Sequence, residues 1–131
     1  MNIYTTTVFE LENSNYVGKV TIREKDGSLM AQTEYGDFSQ SFSSTGMDIL
    51  EFLCKINTDY LGKKIATQWI NNTPFPPTAK QYEEINKRAK LLAEKLLPNL
   101  QRRIKRGEYE VYEFVSKGGE FYEEYKKKKG N

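Results

Sequence analysis

The chain has 131 residues, 37% of them hydrophobic and 29% charged, with 20 Lys and Arg against 18 Asp and Glu, one cysteine and no histidine. This is enough for one folded domain with a real core and too little for two independent ones. The single cysteine excludes an internal disulfide or a thiolate metal site, and the lack of histidine removes the commonest neutral-pH general base, the commonest metal ligand and every Ser-His or Cys-His nucleophile pair.

Residues 3–9, IYTTTVF, are β-branched and aromatic and read as a strand, followed by a turn at Asn13-Ser14-Asn15. Tyr16, Gly18, Val20 and Ile22 then alternate with Lys19, Thr21 and Arg23, as on a half-buried strand. Asp26-Gly27 is hairpin chemistry and predicts a return strand over Ser28 to Tyr35. Gly36-Asp37 marks the next turn, and Phe38, Gln40 and Phe42 share one face of a fourth strand, so residues 1–44 are expected to form an antiparallel meander. Phe38 and Phe42 are read as core aromatics facing a helix in preference to a base-stacking platform.

At Thr45 the period changes. Ile49, Phe52, Leu53, Ile56 and Tyr60 recur at three- and four-residue spacing and predict a helix over 45–72, with Ser44 or Thr45 as N-cap and Asp48 near the positive end of its dipole. Gly62 is expected to weaken its last turns, and NNTPFPP at 71–77 to close it. Thr78 and Gln81 have capping-box spacing and open a helical region over 78–128, with breaks near 98, 107 and 118. Its first piece carries the stripe Tyr82, Ile85, Ala89, Leu92 and Leu96, and its last carries Tyr109, Tyr112 and Val115, ahead of a frayed KKKKGN tail. The expected architecture is a single α+β domain over 1–131, an N-terminal antiparallel β-meander of about four strands packed on three C-terminal helical segments.

Charge is patterned. Between Lys87 and Gly107 stand Lys87, Arg88, Lys90, Lys95, Arg102, Arg103, Lys105 and Arg106 against Glu94 alone, and an acidic block rich in Glu follows from Glu108. Two readings stay open: the blocks pair with each other across a helical hairpin, or the stripe meets phosphate or an acidic protein surface. On the second reading the partner-binding residues are Lys87, Arg88, Lys95, Arg102, Arg103, Lys105 and Arg106. No helix-turn-helix, zinc finger or aromatic RNA-binding motif accompanies them. Cys54, mid-helix and without a spaced cationic partner, reads as a structural thiol. Neighbouring carboxylates such as Glu83 and Glu84 point apart on a helix, and GKKIAT at 62–67 lacks the glycines of a phosphate loop. No catalytic residue, metal site or cofactor is expected. Without a run of about 20 apolar residues or a secretory leader, a cytoplasmic protein with no membrane partner is expected.

The segment YGDFSQSFSSTGMDILEFLCKINTDYLGKKI, residues 35–65, resembles one found in small accessory proteins of bacteriophages and prophages. There an aromatic YG-F-S strand precedes a Gly-containing turn and an FL--I--DYL--KI helix. The matching residues are Tyr35, Gly36, Phe38, Ser39, Gly46, Asp48, Phe52, Leu53, Ile56, Asp59, Tyr60, Leu61, Lys64 and Ile65. The resemblance covers about a quarter of the chain and implies context more than mechanism: a non-enzymatic protein acting in the host cytoplasm. Such proteins, including inhibitors of CRISPR effectors, often bind a host defence or effector protein or its nucleic-acid-binding groove. Direct binding of nucleic acid, a sponge for a nucleotide signal and self-association stay open as alternatives.

Overall fold

The computed structural model describes residues 2–13, 16–24, 26–42, 46–116 and 123–128. In chain order it contains β1 (Asn2–Asn13), β2 (Tyr16–Arg23), β3 (Ser28–Thr33), β4 (Gly36–Ser41), α1 (Ile49–Lys55), α2 (Thr58–Asn71), α3 (Ala79–Arg106), β5 (Glu110–Ser116) and β6 (Glu123–Lys128). The class is α+β: an antiparallel meander, three helices, and two further strands that return to the meander's open side. The sheet order is β4-β3-β2-β1-β5-β6, antiparallel at every pairing.

The alternation in β1 to β4 is used as the period of a strand requires. In register across the sheet, Phe9 faces Val20, Val20 faces Ala31 and Ala31 faces Phe38, and all four are buried. On the opposite side Glu10, Lys19, Gln32 and Asp37 form an exposed polar row in the adjoining register. The hairpin between β2 and β3 turns at Gly27, with φ 63°, and Asp26 accepts a hydrogen bond from the Ser28 N–H at 3.1 Å.

All three helices contribute to the core that covers the buried face. Ile49 and Leu53 of α1, Leu61, Ile65 and Ala66 of α2, and Ala89, Leu92, Ala93, Leu96, Leu97 and Leu100 of α3 are buried with the sheet's apolar residues in one cluster. Truncating any of the buried leucines costs about 2–5 kcal/mol.

The expectations for the helical region need correction. Residues 45–72 form two helices, because Asn57 takes the N-cap of α2 and accepts from the Tyr60 N–H at 2.8 Å. The start of α1 is Asp48, which accepts from the Leu50 N–H at 3.2 Å, while Ser44 and Thr45 lie outside the described residues. Gly62 lies near the start of α2 instead of in its last turns, packed beside the Lys90 Cα and Ala93 Cβ of α3, and the helix continues past it to Asn71. The break at Pro98 is absent: α3 runs through it, because Pro98 is exposed while Leu96, Leu97, Asn99 and Leu100 around it are buried.

The last expected helix is a hairpin of two strands. Tyr109, Tyr112 and Val115 fit a helical spacing, but Val111, Tyr112, Phe114 and Val115 are strand formers. β5 pairs along the edge of β1 that the meander leaves open, from Asn2↔Ser116 to Val8↔Glu110. Lys126 to Lys128 of the expected frayed tail belong to β6, and the expected break at 118 lies outside the described residues.

Candidate interaction surface

The site is built on α3. Its first turn is closed by the capping box: the Gln81 N–H donates to Thr78 Oγ1 at 3.2 Å and the Thr78 N–H donates to Gln81 Oε1 at 2.9 Å. Its last turn is stopped by Gly107 at φ 66°. Between these caps one face is apolar and buried, which leaves the outward face free to carry charge.

At about 100° per residue, Lys87 and Lys105 share one line along α3, with Arg102, Lys95, Arg88 and Arg106 about 60–100° from it and Arg103 about 160° away. Six of the seven proposed binding residues therefore lie within about a third of the helix circumference, over about 28 Å of its length. Arg103 is turned toward the flank: its side chain is only 27% exposed and sits 3.6 Å from Glu108.

Of the acidic block, Glu108 reaches the stripe. Glu108 is shared between Arg103 and Arg106, the latter at 3.8 Å. Lys87 pairs within its own helix with Glu83 at 3.9 Å, an exposed pair worth about 0–1 kcal/mol. Arg102 donates to Asn99 Oδ1 at 2.9 Å, a buried side chain whose Nδ2 has no hydrogen-bond partner among the described residues. Lys95 and Lys105 form no salt bridge among the described residues. Glu84, Glu94 and the exposed Leu91 lie on the same outward arc, so the face mixes cations with carboxylates and apolar surface.

Arg88 is positioned by residues that spacing alone did not single out. Its guanidinium lies over the Trp69 ring, 5.3 Å from the centroid. The ring is itself fixed, with Nε1–H donating to the Asp37 carbonyl at 2.8 Å. Beside it the Gln68 amide accepts from the Ser39 N–H at 2.9 Å and donates to the Ser39 carbonyl, which closes the outer edge of β4 against α2. On one side of Arg88 a cleft of about 400 Å³ opens between the Pro74–Pro77 segment and the start of α3. On the other a polar depression of about 500 Å³ reaches the β3–β4 turn. The signal missed in the sequence is PFPP: the prolines read as a helix stop, whereas they also hold out Phe75, which is 79% exposed.

The remaining candidates behave as structure. Phe38 and Phe42 are buried, as their core reading requires. Cys54 is half-buried; burial pushes its thiol up, with the Lys105 charge opposing, which disfavours the thiolate. Residues 62–67 lie inside α2 and form no loop. Among the described residues no group of His, Cys, Asp or Glu is arranged to hold a metal ion, and no helix is long and apolar enough to cross a membrane.

No curated protein and no solved structure matches the chain. The family model Phage_phiTE_072, described as a phage family, matches residues 1–125, nearly the whole of the sequence. The chain therefore belongs to this phage family.

Proposed function

We propose that this phage protein is a non-enzymatic binding protein that docks on an acidic surface of a host defence or effector protein through the outward face of α3, acting as an anti-defence inhibitor of the anti-CRISPR kind. The observation that carries this reading is the composition of that face. Arg88, Lys95, Arg102 and Lys105 share it with Leu91, which is 41% exposed, and with Glu84 and Glu94. Carboxylates interleaved with cations are repelled by a continuous row of phosphates, whereas a protein surface can set its acidic groups opposite the cations and neutral or apolar groups opposite Glu84, Glu94 and Leu91. The phage family supports the biological setting.

The test is affinity capture from the natural host with the parent chain and with a Lys95→Glu, Lys105→Glu variant, identified by mass spectrometry. A host protein retained by the parent and lost by the variant is the expected result. Retention of the same protein by both would remove α3 as the docking face. In parallel, anisotropy with duplex and single-stranded DNA at about 50 and 200 mM salt separates the readings, because phosphate neutralisation gives a steep loss of affinity with salt. Tight, steeply salt-dependent binding would favour the nucleic-acid alternative.

A further inference from the structure

We infer that the cleft between the Pro74–Pro77 segment and the first turns of α3 receives an extended acidic peptide segment of the partner, one that carries an apolar side chain next to a carboxylate. This rests on the reading of α3 as a protein-docking face and names what one part of that face recognises.

The cleft is shaped before any ligand arrives. Proline fixes the backbone φ at Pro74, Pro76 and Pro77. The Thr73 hydroxyl approaches the Ile70 and Phe75 carbonyls at 2.7 and 3.0 Å, and the capping box at Thr78 holds the far end. Phe75 therefore stands largely in solvent on a constrained loop, so contact with it orders little backbone. At about 400 Å³ the cleft accommodates one large apolar side chain and a short length of main chain.

Its chemistry selects the occupant. Phe75, the prolines and Ile85 form an apolar wall. Gln81 uses its Oε1 in the capping box, and its amide N–H groups remain as donors toward a peptide carbonyl. Glu84 also lines the cleft and supplies an acceptor for a peptide N–H. Arg88, held over the Trp69 ring and absent from the salt bridges of the described residues, presents a fixed cation to a carboxylate. Beyond it Lys95, Arg102 and Lys105 continue the positive surface along α3, which favours further acidic residues on the same segment.

The probe is a capped synthetic tetrapeptide Leu-Asp-Glu-Asp, titrated into the isotopically labelled full chain and followed by NMR. Its controls are Gly-Asp-Glu-Asp, Leu-Asn-Gln-Asn and Leu-Lys-Arg-Lys. Shifts centred on Phe75, Gln81, Ile85 and Arg88 are expected, strongest for the first peptide. Phe75→Ala, whose ring is largely in solvent, should leave the melting temperature unchanged and weaken the first peptide by about tenfold. Arg88→Gln should abolish the preference over Leu-Asn-Gln-Asn. Shifts confined to Lys95, Arg102 and Lys105 would overturn the cleft assignment and leave the docking face standing. Equal binding of the glycine peptide would overturn the apolar anchor. No response to either acidic peptide anywhere on α3 would overturn the cleft and count against the docking face as well.

Discussion

Gly36 and Gly62 meet their neighbours in opposite ways. Gly36 has φ 128°, and a Cβ there would lie 2.8 Å from the Trp69 ring, so Gly36→Ala both strains the backbone and pushes the ring that supports Arg88. Gly62 is helical, and an added Cβ would meet its nearest neighbour at 3.5 Å, an ordinary contact. Gly62→Ala should therefore stabilise the fold by about 1 kcal/mol through helix propensity, while Gly36→Ala should destabilise it by about 1–3 kcal/mol; chemical denaturation of the two variants checks both signs. Asp26 adds a pH dependence. Burial alone would raise its carboxyl, but the hydrogen bonds from Ser28 and the nearby Arg23 outweigh it and hold the group below its ordinary value. A lowered folded-state value means stability that is complete above the ordinary carboxylate range and lost as pH falls through the lowered value. Asp26→Asn should thus be less stable than the parent at neutral pH, with the difference closing below about pH 4.

At the scale of elements, α3 is the unit on which the account turns. Pro98 removes a backbone donor inside it and leaves the Glu94 carbonyl without its usual partner, yet packing of the leucines on both sides carries the helix through. Pro98→Ala is expected to raise stability by about 1–3 kcal/mol, measured by denaturant titration; destabilisation would mean the proline shapes a bend that the packing needs. Local chemistry made some of this legible: Asp26-Gly27 and the alternation of Val20 and Ile22 specify the hairpin, and Thr78 with Gln81 specifies the start of α3. Other features depend on partners distant in sequence. Tyr112 and Val115 satisfy a helical spacing and a strand propensity together, and only the open edge of β1 decides between them. Gln101 donates to the Leu53 and Ile56 carbonyls at 2.8 and 3.0 Å, serving the end of α1 from far along the chain. The basic stripe was legible as composition, whereas the Trp69 platform beneath Arg88 and the cleft beside Phe75 exist only once α2, β4 and α3 have met.

Across the whole molecule, the sheet gives one face to the core and α3 spans the helical layer, so its outward side is displayed on a frame braced by the sheet and two other helices. Such a frame presents charge in a fixed arrangement, and fixed charge favours fast, oriented encounter with a complementary surface. On the proposed function, this face binds an acidic surface of a host protein. Equilibrium titration of the captured host protein against the parent and the Lys95→Glu, Lys105→Glu variant, at low and high salt, tests it most directly. The variant is expected to melt like the parent but to bind at least about tenfold more weakly at low salt, with the gap narrowing as salt screens the interaction. Equal affinity of the two folded proteins at low salt would contradict it.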